Sequence, residues 1–459
     1  MRPPSSNSES PGSSENPGAG LFGPLFGAQA LDRELDDRAW LRAMLDFEAA
    51  LARAQSRAGI IPPAAAGAIV EAAGSARPDP ADLGRRALAS GNPVVPLVAD
   101  LGAALPADAT PYLHLGATSQ DVLDTAAVLV AKRCLDPILA HLREVAEHCA
   151  RLARRHRDTL MAGRTLGQQA LPTTFGLTCA GWLVAVDECA AALAALRGTR
   201  LAVQYGGAAG TLAALGAGGA AVTALLADEL GLAEPILPWH TNRTRIGELA
   251  GALGTAAGVL ATIALDLTLL AQTEVGEVAE AHGGGSSAMP HKQNPVRAVL
   301  VSAATRRVPG LVATLLSCMA QEHQRATGGW HAEWQPLTEL LRLVGAAAAG
   351  TAASLDGLRV DAARMRRNLD LTRGLLLAES VAGRLSPALG RAAAHELVAR
   401  VCREAVASDG SLRDALRDEP RVRAQLDEQQ IDRALDPAGY LGSTSTFIDR
   451  ALAAHREGR

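Results

Sequence analysis

At 459 residues the chain is longer than one ordinary domain, so two or three domains are expected. Apolar residues make up 48% and aromatic residues 3%, an Ala/Leu/Val-rich balance of the kind closely packed helices build. A net charge of −4 with no basic block argues against nucleic acid or an anionic membrane surface as a partner. The six cysteines, Cys134, Cys149, Cys179, Cys189, Cys318 and Cys402, include no CxxC pair. They read as core residues of a reducing compartment, which implies a cytoplasmic location and neither a disulfide framework nor a metal site.

Residues 1–20 are rich in Ser, Pro and Gly and contain no apolar core of a secretory signal, so a disordered tail is expected there. Apolar residues recur at helical spacing over 31–54, and Pro62 and Pro63 close that unit or open the next. Short helical pieces broken by Pro78, Pro80, Pro93 and Pro96 fill 69–105, and 114–121 is a polar turn. The spacing predicts long helices over 122–156, with a kink at Pro137, over 175–201 and over 242–282. Between the first two, 162–172 reads as a loop or helix entrance, and 206–212 as a turn. Residues 249–271 are long enough to cross a bilayer. Asp266 interrupts them and Gly and Ala dominate them, so the buried centre of a bundle is the better reading. Further helices are expected over 297–324, bent at Pro309 and Gly310, over 337–358, and as shorter pieces around 378–405, with a Pro/Gly turn at 437–442. No run alternates as a strand does. The expected architecture is all-α: an N-terminal helical domain over 21–113, a central long-helix bundle over 114–363 and a C-terminal helical domain over 364–459.

The segment most informative about chemistry is GGGSSAMPHKQNP at 283–295. Its glycines allow positive φ and close backbone approach, and its prolines exclude regular structure. Ser286, Ser287, His291, Lys292 and Asn294 all offer hydrogen bonds to a polar ligand. Gly-rich N–H groups beside the Lys292 charge suit an anion.

This segment resembles the signature of the fumarase/aspartase superfamily, GSS-x-MP-x-K-x-NP, which is intact here from Gly285 to Pro295. Two more segments resemble its other conserved regions. HLGATSQDVLDT at 114–125 follows H-x-G-x-TS-x-D, and GRTLGQQALP at 163–172 follows T-H-x-Q-x-A-x-P except that position 166 is Leu. The resemblance implies three α-helical domains, a tetramer whose middle domains form one helical core, and active sites built by loops from three subunits. It implies polycarboxylate substrates, proton transfer at a carbon next to a carboxylate, and no cofactor. Ser286 would be the base, supported by Lys292. His114, Thr118, Ser119, Thr165, Gln168, Gln169, Ser287, Met289, His291 and Asn294 would line the substrate site. Thr118 and Ser119, just ahead of a helix, would hold a carboxylate on its first N–H groups; the competing reading is a plain N-cap with Asp121 favouring the dipole.

In fumarases, adenylosuccinate lyases and argininosuccinate lyases the His missing at Leu166 is linked to the leaving group, so its loss argues against those activities. PWHTNRTRIGE at 238–248, QEHQRATGGWHAEWQPL at 321–337 and NLDLTRGLLLAE at 368–379 resemble instead the lactone-forming cycloisomerases of the superfamily. Arg243, Arg325 and Trp330 then become candidate contacts to a substrate with three carboxylates, against surface charges or core packing as the alternative. An adenylosuccinate lyase, close in SSAMPHK-x-NP, and a non-catalytic structural relative stay open at this point.

Overall fold

The computed structural model describes residues 20–281, 283–285 and 288–458. Of the expected N-terminal tail, 1–19 therefore lies outside the described residues. The fold is overwhelmingly helical, in line with the sequence reading. The chain divides into two compact units. One takes residues 20–141, 189–261 and 300–349; the other takes 142–188, 262–299 and 350–458.

In the first unit, helix Asp37–Arg57 starts where the Asp36 carboxylate accepts from the Ala39 N–H at 2.8 Å, a standard N-cap. Its apolar face, including Leu41, Met44, Leu45 and Leu51, packs on helices Pro63–Ser75 and Gly219–Leu230. Two polar residues lie on that same buried face: Glu48 at 1% and Gln55 at 0% exposure. Helix Ser119–Arg155 begins in this unit with the first motif, and Pro137 lies inside it.

In the second unit, 160–174 is a hairpin and not the loop or helix entrance expected. Strand Leu160–Thr165 pairs antiparallel with Gln168–Thr174, with a bulge between Ala162 and Arg164. Its two-residue turn is Leu166, at φ 52°, and Gly167, at φ 78°. Two positive φ values in succession match the right-handed twist of the strands. The signal was hidden because Leu, which pays a steric penalty there, occupies the place where Asn or Asp is usual. The hairpin rests on Leu369, Leu376 and Leu377, clustered with Ala162. A second, minimal pairing joins Val278–Ala279 to Arg359–Val360. The helix expected over 242–282 stops at Leu270; beyond it Gly276, at φ 60°, lies just before the strand of that pairing. The C-terminal helices close on a core of Val381, Leu385, Leu397, Val401, Leu412, Leu416 and Ile431.

Among the described residues, four helical stretches, Phe175–Thr199, Ala213–Leu230, Thr244–Leu270 and Val296–Ser317, are long and apolar enough to cross a membrane by length and composition. In the second unit, Asp266 accepts from Trp182 Nε1 at 2.9 Å, and burial pushes its carboxyl above the usual range.

Candidate active site

The first motif is organised by Asp121, which the sequence reading passed over as a helix-dipole residue. This carboxylate is fully buried. It accepts from the backbone N–H groups of Thr118 at 3.0 Å, Gly206 at 3.0 Å and Gly207 at 2.9 Å, and His240 Nε2 lies 2.7 Å away. Reaching back from the third helical position, it caps the helix itself. No side-chain hydrogen bond among the described residues occupies the Thr118 or Ser119 hydroxyl, so the plain N-cap alternative does not hold for either. The glycines are needed for this approach. A Cβ on Gly206 would stand 2.7 Å from Pro238 Cβ, and one on Gly207, at φ 68°, 2.7 Å from Gly116 O.

One residue earlier, Gln120 ties the motif to Arg325. Its Nε2 donates to His240 O at 2.9 Å and Asp124 Oδ2 at 3.1 Å, while its Oε1 accepts from Arg325 Nε at 3.1 Å. Arg325, half-buried, is thus tied to the residue that follows Ser119 in the motif.

Arg243 and Trp330 do something else. Arg243 is 2% exposed. Its Nη1 and Nη2 grip Asp124 at 2.8 and 3.0 Å, and its Nε donates to Glu333 at 3.0 Å. Burial opposes its charge, but the two carboxylates outweigh this and hold its pKa above the ordinary guanidinium value. Trp330 Nε1 donates to Asp124 Oδ1 at 3.0 Å, and its ring packs edge-on against Trp334 at 5.0 Å. Both residues are therefore spent on a buried ion cluster that anchors the first turns of helix Ser119–Arg155, and neither offers a donor to a ligand.

His114 adopts φ 57°, and its Nδ1 lies 2.6 Å from Glu48 Oε1. Burial works against a charged imidazole here; the Glu48 carboxylate, with Asp121 behind it, outweighs burial and raises the pKa above the ordinary histidine value.

In the second unit, the signature loop is held at both ends. Gly284 and Asn294 exchange backbone hydrogen bonds, Gly284 N to Asn294 O at 3.0 Å and Asn294 N to Gly284 O at 2.9 Å. Just before the loop, the Glu280 carboxylate accepts from Arg297 N at 3.2 Å, Ala298 N at 2.9 Å and Ser354 Oγ at 2.6 Å. It thereby caps helix Val296–Ser317, which follows the loop. The glycines serve close approach and not positive φ: none of Gly283, Gly284 and Gly285 has φ in the left-handed region, yet a Cβ on Gly284 would fall 2.2 Å from Val296 Cγ2. Met289, His291 and Lys292 are exposed, and Asn294 is half-buried. Ser286 and Ser287 lie outside the described residues.

The hairpin carries the second motif. Thr165 and Gln168 pair across the turn, and Leu166 is fully exposed at its tip. Gln169 Nε2 donates to Asn368 O at 2.9 Å. Behind it, Arg164 forms a two-pronged pair with Glu277 at 2.7 and 3.1 Å, and Asn368 Nδ2 donates to the same carboxylate at 2.7 Å. Sequence reasoning missed Glu277 and Glu280, which sit in no motif. Glu333 was visible inside WHAEW but was not given a partner.

Among the described residues, no group of three or more His, Cys, Asp or Glu is arranged to hold a metal ion. The "Lyase" family model matches residues 24–310, and the "Adenylosuccinate lyase C-terminus" model matches residues 374–451. The chain belongs to this lyase family, the fumarase/aspartase superfamily. It is 48% identical over 448 residues to a 3-carboxy-cis,cis-muconate cycloisomerase of Pseudomonas aeruginosa, covering 96% of this chain and 98% of that one. It is 46% identical to a nitrosuccinate lyase of Streptomyces davaonensis, covering 95% and 94%. The crystal structure of 3-carboxy-cis,cis-muconate lactonizing enzyme from Pseudomonas putida superposes with a TM-score of 0.89 at 45% identity, over 95% of this chain and 99% of that one. Family membership turns the sequence expectation of an all-α, fumarase-like fold into an observation.

Proposed function

We propose that the chain is a cycloisomerase that closes 3-carboxy-cis,cis-muconate to carboxymuconolactone. The observation that carries this reading is Leu166, an apolar residue at the hairpin tip where the superfamily motif places the acid that serves the leaving group. In the lactonising direction one carboxylate of the substrate adds through oxygen to a double-bond carbon. The electron pair moves toward the neighbouring carboxylate, and the carbon beside it takes a proton. Read backwards, the group expelled is a carboxylate with a parent pKa near 4, which needs little help from an acid.

Ser286 delivers the proton to carbon. Lys292 and Asn294 bind the carboxylate on which negative charge accumulates, and the Thr118 and Ser119 hydroxyls with Arg325 hold another. Thr165, Gln168, Gln169, Ser287, Met289 and His291 complete the lining. No cofactor takes part.

The site is completed by assembly. Leu265, Leu269, Val299 and Leu316 are exposed at 45–52% on the long helices, apolar surface that a homotetrameric helical core would cover. With the family resemblance, that arrangement supports active sites shared between three subunits. A cytoplasmic location fits cysteines without disulfides among the described residues.

An ultraviolet assay with carboxymuconate, adenylosuccinate and fumarate tests the reading. Turnover of carboxymuconate is expected; turnover of either other substrate alone would sink it. Two variants probe the geometry. Leu166→His should fold normally, because His is among the residues enriched at positive φ, and should leave the lactonisation rate within a few-fold; a large gain would show that an acid was limiting. Gly284→Ala should cut turnover on the order of a hundredfold by displacing the loop. Val296→Ala in the same chain removes the Cγ2 that the new methyl meets at 2.2 Å, leaving Cβ at 3.3 Å, and should restore most of the rate. Equal losses in the single and double variants would place the fault elsewhere.

A further inference from the structure

Glu48 lies in none of the three motifs, on a helix whose neighbouring face is apolar, and it is 1% exposed. A carboxylate is costly to bury without a partner. Its Oε1 lies 2.6 Å from His114 Nδ1. Its Oε2 is buried with no hydrogen-bond partner among the described residues. One turn pair further along, Gln55 Nε2 donates to Leu115 O at 2.7 Å and approaches Tyr205 Oη at 3.0 Å, and Tyr205 Oη donates to Leu115 O at 3.0 Å. The backbone just after His114 is thus pinned from the same helix that carries Glu48.

We infer that Glu48 is a positioning residue: it fixes His114 through Nδ1 and keeps the ring as an imidazolium, so that Nε2–H is presented as a charged donor to a substrate carboxylate. The His114 side chain is 20% exposed, against 1% for Glu48, so the pair has a buried end and an end open to a ligand. Among the described residues, two charged groups act on the ring: Glu48 from helix Asp37–Arg57 and Asp121 from helix Ser119–Arg155. Tyr205 sits beside both acids. Asp121 has its own three backbone donors and His240, which leaves Glu48 as the acid committed to His114. Both acids raise the histidine pKa. The charge is therefore complete below the unshifted value near 6.5 and is lost as pH rises through the folded value. Without Glu48 the loss comes at lower pH.

The assignment rests on the carboxylate-binding part of the proposed function, and its test separates the two. Binding of tricarballylate, a saturated tricarboxylate that cannot lactonise, is measured by calorimetry from pH 5.5 to 8.5. In the parent protein affinity should decline as pH rises through the His114 titration. In Glu48→Gln the decline should begin at lower pH, giving about tenfold weaker binding than the parent at pH 7.5 and near-equal binding at pH 5.5. A uniform loss across the range would make Glu48 merely structural, and an unchanged profile would remove the inference. His114→Asn, which suits φ 57°, guards against a misfolded Glu48→Gln: its affinity should be flat with pH, and a retained pH decline would overturn the assignment. A parent protein that binds tricarballylate with the expected profile but does not turn over carboxymuconate keeps the Glu48 assignment and discards the lactonase reading.

Discussion

Replacing Arg243 by methionine is expected to destabilise the protein by about 3–5 kcal/mol, the usual consequence of removing one partner from a buried charge cluster. The guanidinium is 2% exposed and lies between Asp124 and Glu333, themselves 3% exposed each. Removing it leaves two like charges buried together, and Asp124 also accepts from Gln120 and Trp330. Against a total stability of about 5–15 kcal/mol for an ordinary domain, that loss shows in the midpoint of urea denaturation. Arg243→Lys should recover only part of it, because one ammonium cannot replace a planar fork with donors to two carboxylates. A loss below about 1 kcal/mol, the worth of an exposed pair, would mean that the cluster is solvated and that Arg243 is free for a ligand after all.

The second large effect falls on chemistry and spares stability. Ser286→Ala should lower kcat by about 10²–10⁴-fold, the range for a positioned proton donor, while tricarballylate affinity is retained. A group that acts in the transition state is felt in kcat; one that grips the ground state is felt in KM. Single-turnover kinetics distinguish the two. Near-normal turnover would remove Ser286 from its role, and a parallel collapse of affinity would recast it as a substrate anchor.

Reading the chain residue by residue shows which signals carry. Long helices were legible because their apolar residues repeat at helical spacing over many turns, and the signature loop because its composition forbids regular structure. The hairpin was not legible. Its turn pair, Leu166 and Gly167, departs from the Asn-Gly pattern that announces such turns, and Pro172 lies in its second strand. The carboxylates that position the site were not legible either. Glu277 meets Arg164 across 113 positions, Glu333 meets Arg243 across 90 and Glu48 meets His114 across 66. A local pattern cannot report a partner so distant. What the sequence did offer was an anomaly: Glu48 and Gln55, seven apart, interrupt the apolar face of helix Asp37–Arg57. Arg243 shows the opposite failure. Its charge suited a tricarboxylate, yet the nearest unmet need was that of two buried acids in its own fold.

The hairpin turn also bears on how activities diverge in this lineage. Gly167 and the Thr165–Gln168 pair set the backbone at residue 166, and an exposed side chain at the tip has no neighbours within its own unit to disturb. Exchange of an acid for an inert group at this one position therefore leaves the scaffold intact. Relatives of this chain at 48% and 46% identity bear the names of a cycloisomerase and a nitrosuccinate lyase. A tip of this kind lets the chemistry offered at residue 166 change while the packing beneath it stays the same.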